Sequence, residues 1–129
     1  MVIDTSALIA ILSAETGAKI FAEAIARADK CLLSAASLLE TAIVIESRYG
    51  PSGSQKLDEL IEVAQIQIEP VTVEQTRVAR LAYRTYGKGR HPAALNYGDC
   101  FSYALAKVYN QPLLFKGDDF SQTDIKMMI

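Results

Sequence analysis

Three short apolar runs, Val2-Ile3, Cys31-Leu32-Leu33 and Leu113-Leu114-Phe115, constrain this chain more than any other feature. Each is buried in character and too short for a helix. Stretches of helical spacing separate them. Helices are expected from Ala7 to about Leu12, then over Ala18 to Ala28, where Ile20, Phe21, Ala24, Ile25 and Ala28 recur on one face. Ser34 or Ser37 opens another to about Tyr49. Gly50-Pro51-Ser52-Gly53 reads as a turn, and Ser54 to Ala64 is again helical. Gln65 to Val71 alternates polar and apolar residues, which predicts an edge strand with Pro70 at its end. Thr72 or Val73 starts a helix to about Tyr86, and Asn96-Tyr97-Gly98-Asp99 leads into the last one, ending near Tyr109. Short strands alternating with helices give an α/β fold with a parallel sheet. Ala35 to Ala64 holds two helices without a strand between them, a clip on one side. With 129 residues, the chain is expected to form one domain, residues 1–129.

Acids stand where such a fold gathers its ligands. Ligands bind an open α/β sheet beyond the carboxyl ends of its strands. Asp4 follows the first apolar run, and Asp118 follows the last one after a Lys116-Gly117 turn. Glu40 and Asp99 lie early in helices that can lean over the same edge. Two unit charges about 4 Å apart repel by roughly 4 kcal/mol at an effective dielectric near 20. Converging carboxylates therefore take up protons or a divalent cation. All-oxygen ligands favour Mg²⁺ or Mn²⁺ over zinc, since His91 is the one histidine and neither Cys31 nor Cys100 has a nearby partner. Each acid also has an ordinary use. Asp4 can cap a helix, Asp99 can sit in a first turn, Asp118 and Asp119 can be turn residues, and Glu40 can face solvent.

The net charge of −2 conceals an asymmetry. Gln75 to Gly98 contains no acid but carries Arg77, Arg80, Arg84, Lys88 and Arg90, a local +5, while the rest of the chain carries −7. Arg77, Arg80, Arg84 and Lys88 are spaced by three, four and four, which places them along one helical stripe. Such a stripe suits a phosphate backbone, an acidic segment of a protein partner, or a merely solvated face. His91, beside it, is a further candidate for contacting RNA, although a lone loop histidine is more often simply solvated.

Two cysteines fit a reduced, cytoplasmic protein better than a disulfide scaffold. Met-Val-Ile-Asp lacks the basic start of a signal peptide. No apolar stretch approaches the roughly 18 residues that a spanning helix needs, so no membrane role is expected.

The residues also carry a resemblance. Met1-Val-Ile-Asp-Thr-Ser-Ala-Leu8 is similar to the first strand and turn of the PIN-domain ribonucleases. Ser37-Leu-Leu-Glu-Thr-Ala42 resembles their second acidic motif, Leu95-Asn-Tyr-Gly-Asp-Cys100 the third, and Leu113-Leu-Phe-Lys-Gly-Asp-Asp-Phe120 the fourth. Size and motif order resemble a VapC-type toxin of a bacterial toxin–antitoxin pair, over nearly the whole chain. The resemblance implies a three-layer PIN-like fold, with a mostly parallel five-stranded sheet flanked by helices. It implies Mg²⁺- or Mn²⁺-dependent cleavage of RNA, with transfer RNA one candidate substrate, a homodimer and a VapB-like antitoxin partner. Asp4, Glu40 and Asp99 match its acidic positions. Asp118 is favoured for the fourth, with Asp119 the alternative. Ser6 is a supporting candidate whose hydroxyl would orient Asp4 or a water on the cation.

Two other classes bear on the same acids. A receiver-like signalling domain wants paired acids after strand one and an Asp after a middle strand; here Asp4 stands alone. A haloacid-dehalogenase-like phosphatase wants Asp-x-Asp, and Ser6 occupies the second position. A non-catalytic interaction module would need none of the acids.

Overall fold

The computed structural model describes residues 1–129. Its elements alternate as the apolar runs predict: β1 (Val2–Ile3), α1 (Thr5–Leu12), α2 (Ala18–Arg27), β2 (Leu32–Ser34), α3 (Ala35–Val63), β3 (Gln67–Glu69), α4 (Val73–Tyr86), α5 (Tyr97–Val108) and β4 (Leu113–Leu114), followed by a 3-10 turn at Phe120–Gln122. The strands form one parallel sheet in the order β3-β2-β1-β4.

The register explains why these strands are apolar throughout. Val2 pairs with Leu32 and Leu113, and Ile3 with Leu114. Successive side chains point to opposite faces. Val2, Leu32 and Leu113 therefore face α4 and α5, in a core with Leu95, Tyr103, Leu105 and Phe120. Ile3, Leu33 and Leu114 face the other layer, with Leu8, Phe21, Ile25 and Ile66. With helices on both faces, neither side of a central strand can be polar.

The sheet has four strands rather than five. The last segment touches β4 through a single bridge, Leu113 to Met127, with Leu113 N donating to Lys126 O and Met128 N donating to Leu113 O. From Ile125 to Met128 only Ile125 is buried, so there is little apolar surface to hold a longer ladder.

The expected turn at Gly50 to Gly53 narrows to one residue. Gly50 alone leaves helical geometry, at φ 66° and ψ −155°, and the helix restarts at Pro51. Proline suits a first helical position because its missing N–H has no partner there anyway. The bend folds the second half of α3 back, so that buried Leu57 and half-buried Leu60 and Ile61 meet the core, the clip expected from two helices without an intervening strand. The Gly50 conformation is one that essentially only glycine adopts. Gly50→Ala meets no steric neighbour within 4 Å, so its cost is purely backbone strain. It should lower stability by about 1–3 kcal/mol. Denaturant titration reads this, and an unchanged midpoint would contradict the strain.

Candidate active site

Asp4 ends β1 and caps α1. One carboxylate oxygen accepts from Ser6 N at 3.0 Å, the other from Ser102 Oγ at 2.6 Å, and the residue is 5% exposed. Ser37 Oγ lies 3.3 Å from Ser102 Oγ and, since the Ser102 proton is committed to Asp4, is the donor. Thr5 and Thr41 both donate to Ser37 O. These hydroxyls tie α1, α3 and α5 together directly beneath Asp4, and no buried side-chain polar atom is left unpaired. Ser6 makes two contacts here. Its backbone N–H orients Asp4, while its hydroxyl accepts from Lys116 N at 2.9 Å, anchoring the loop after β4.

Asp99 occupies the third position of α5. It forms a reciprocal cap with Asn96: Asp99 N donates to Asn96 Oδ1 at 2.9 Å, and Asn96 N donates to Asp99 Oδ2 at 3.0 Å. Glu40, on α3, lays its carboxylate over Gly98. A Cβ on Gly98 would come within 2.5 Å of Glu40 Oε2, so any side chain there would displace the Glu40 carboxylate from this position.

The ordinary roles of Asp4 and Asp99 as capping residues are thus real, and the acids gather nevertheless. Burial pushes the Asp99 carboxyl up to about 7 from 3.8, reinforced by the charges of Asp4, Asp119 and Glu40 and opposed by its hydrogen bond from Asn96. The acid of the last loop that acts on Asp99 is Asp119; Asp118 is not among its charged neighbours. No basic residue offsets the cluster. The ion pairs are Arg48–Glu15, Lys107–Asp124 and Lys116–Glu15, all outside it. The carboxylates do not close into a tight cage of three or more ligands. Asp4 has both oxygens on protein donors and Asp99 has one, so these side chains are spread by their own hydrogen bonds. Their donor set is all oxygen; neighbouring Cys100 is a core residue whose thiol burial pushes up to about 11. Uncompensated, partly desolvated carboxylates of this kind fit a hard divalent cation.

The basic residues lie alongside. Arg77, Arg80, Arg84, Lys88 and Arg90 are all exposed, and none is in an ion pair. A bridge between Gly87 and Leu95 pins the end of α4 beside the start of α5, bringing Lys88 and Arg90 to the acidic end of the molecule. Arg90 lies over the Tyr83 ring, 5.9 Å from its centroid. His91 is packed rather than solvated: its Nδ1 accepts from Ala93 N at 3.0 Å, and its ring stands edge-on to Tyr86.

Reading from residues alone missed Ser102, Ser37, Thr41 and Gly98. A signal existed for two of them. Ser37 precedes Glu40 by three residues and Ser102 follows Asp99 by three, so each serine shares a helical face with an acid.

A family model for the PIN domain matches residues 1–126. Ribonuclease VapC30 of Mycobacterium tuberculosis is 57% identical over 97% of this chain and 95% of its own. Ribonuclease VapC of Mycolicibacterium smegmatis is 58% identical over 97% of both. Among solved structures, M. tuberculosis VapC20, described as a sarcin–ricin loop cleaving toxin, superposes with a TM-score of 0.78 at 16% identity, covering 96% of this chain and 95% of that one. FitAcB of Neisseria gonorrhoeae gives a TM-score of 0.70 at 17% identity, covering 98% and 94%. At these identities the structural likeness concerns the fold alone. No helix is long and apolar enough to cross a membrane.

Proposed function

The chain belongs to the PIN-domain family, among the VapC ribonucleases of toxin–antitoxin pairs, and on that premise we propose that it hydrolyses RNA phosphodiester bonds with Mg²⁺ or Mn²⁺ held by Asp4, Glu40, Asp99 and Asp119. The observation that carries this reading is the Asp99 carboxyl, lifted to about 7 among three acids with no basic partner. Asp119 replaces Asp118 as the preferred fourth acid because its charge is the one that reaches Asp99.

When bound, the cation supplies charge stabilisation at the phosphate and lowers the pKa of a water. The chain's own residues set the stage. Ser102 and the Ser6 amide hold the Asp4 carboxylate in one orientation. Asn96 fixes one oxygen of Asp99 and leaves the other free to bind a cation. Glu40, exposed and over Gly98, is the acid placed to orient an attacking water. No covalent nucleophile is required, and no Ser/His/Asp or Cys/His set is present to provide one. Incubated with labelled RNA, the purified protein should cleave with Mg²⁺ or Mn²⁺, stop on addition of EDTA and recover when the cation is returned. Cleavage that persists in EDTA contradicts the assignment.

Arg77, Arg80, Arg84, Lys88 and Arg90 guide the RNA backbone toward a pocket that would otherwise repel it. Helical rise puts Arg77 about 10 Å before Arg84 along α4, so the stripe spans more than one phosphate. Replacing Arg80 and Arg84 together by Ala should weaken RNA binding and reduce the salt slope by about one per lost contact. Unchanged affinity and slope would remove the stripe from the model. A VapB-like antitoxin and a second copy of this chain complete the expected partners, and two buried free cysteines suit a cytoplasmic setting.

A further inference from the structure

The segment that carries Asp119 is held at both ends. At its start, Lys116 N donates to Ser6 Oγ at 2.9 Å. At its far end, Asp124 accepts from Tyr103 Oη at 2.6 Å and from Lys107 Nζ at 2.9 Å. Tyr103 and Lys107 lie on α5, the helix that carries Asp99. We infer that Tyr103 is a positioning residue for the reaction: its hydroxyl pins Asp124, and through that segment sets the place of the Asp119 carboxylate among the acids. This rests on the nuclease reading above, in which Asp119 is the fourth acid.

The spacing links the two places. Tyr103 follows Asp99 by four residues, so both lie on one face of α5, about 6 Å apart along its axis. Asp124 follows Asp119 by five, across the 3-10 turn Phe120–Gln122. That turn is stitched internally and so transmits the pin. Thr123 Oγ1 donates to Phe120 O at 2.7 Å and accepts from Ile125 N at 3.2 Å, and Ser121 Oγ donates to Asp118 O at 2.6 Å. Asp119 itself is exposed, and no hydrogen bond holds its side chain. Its place therefore depends on how the segment is fastened. Of the two donors to Asp124, the hydroxyl is the fixed one. Lys107 and Asp124 form an exposed ion pair, a kind that contributes little. Tyr103 is 6% exposed, with its ring tilted against Tyr86 at 6.0 Å and in one core with Phe120 and Ile125.

Tyr103→Phe removes only the hydroxyl and keeps the packing of the ring. Two readings are taken: initial rates on labelled RNA in Mn²⁺, and Mn²⁺ affinity without RNA, from the electron paramagnetic resonance signal of the free ion. Tyr103→Phe should lower kcat about tenfold with KM for RNA unchanged, and weaken Mn²⁺ binding by a similar factor, as losses behind a metal ligand do. Asp124→Ala, at an exposed position, should reproduce both effects. Asp124→Asn, whose carbonyl still accepts from Tyr103, should recover most of what Asp124→Ala loses. In an Asp119→Asn background, Tyr103→Phe should cost no more than about twofold further, because the two changes act through one group. Wild-type kcat and Mn²⁺ affinity in Tyr103→Phe, even with a lowered melting temperature, would show that the hydroxyl only fastens the tail and would overturn the inference. A full tenfold loss in the Asp119→Asn background would overturn it too. Wild type that binds Mn²⁺ but cleaves no RNA would remove the nuclease reading, while the Mn²⁺ titrations still decide whether Tyr103 acts through Asp119.

Discussion

Asp4→Asn and Asp99→Asn should each reduce RNA cleavage at least about a hundredfold while leaving the fold intact. The size follows from the cation, which contributes several kcal/mol of charge stabilisation at the phosphate, each 1.36 kcal/mol being tenfold in rate. The intact fold follows from the hydrogen bonds. Asn at position 4 is itself a good helix cap; its carbonyl can accept from Ser6 N while its amide donates to Ser102 Oγ, whose proton then turns elsewhere. Asn at position 99 can still accept from Asn96 N. Glu40→Gln should cost less, since Glu40 is exposed and not held by a hydrogen bond. The fourth acid is decided by a pair of variants: Asp119→Asn should slow cleavage and Asp118→Asn should leave it nearly unchanged. Initial rates in Mn²⁺, with circular dichroism as the fold control, measure all of these. Equal cleavage by wild type and by the Asp4 and Asp99 variants would identify a contaminating nuclease and dismiss the acids.

The parts of this site visible in the residues were those that local chemistry places. An acid directly after an apolar strand must emerge at the sheet's carboxyl edge, so Asp4 was legible. Asn96 three residues before Asp99 announces a helix start, so the position of Asp99 was legible as well. Which of Asp118 and Asp119 brings its charge to bear on Asp99 was not, because neighbouring residues of a turn point in different directions. Nor was Ser102. A serine inside a helix is unremarkable until the packing of α5 against β1 sets it 2.6 Å from Asp4, almost a hundred residues away in the chain. The residues predict a wider turn at Gly50-Pro51 than the fold has for a local reason: glycine followed by proline marks both a loop and the break between two abutting helices. The fifth strand came from family likeness, and in this chain the final segment lacks the apolar face to form it.

Without a divalent cation, this protein should become less stable as pH rises from about 4 to about 7. The Asp99 carboxyl titrates near 7 in the folded state and near 3.8 when unfolded. Between those values the folded chain keeps a proton that the unfolded chain releases, so each step up in pH favours unfolding until the loss is complete above about 7. Two other acids act in the opposite sense at lower pH. Glu15, held down chiefly by its hydrogen bond from Lys116, and Asp124, held down by hydrogen bonds from Tyr103 and Lys107 against its desolvation, contribute stability that is lost on acidification below the ordinary carboxylate range. Stability in EDTA should therefore peak near pH 4–5. For a fully buried group the Asp99 shift would be worth about 4 kcal/mol, and partial solvation brings this to about 2 kcal/mol. Thermal melts should thus fall by several degrees between pH 5 and 8, and Asp99→Asn should flatten the decline, giving a metal-free variant more stable at pH 8 than wild type. Mg²⁺ reverses the trend. It favours the ionised acids, and below pH 7 it must compete with the Asp99 proton, so its stabilising effect should be larger at pH 8 than at pH 5. A wild-type melting temperature independent of pH in EDTA, or an Asp99→Asn profile parallel to it, would show that the cluster stores no such repulsion.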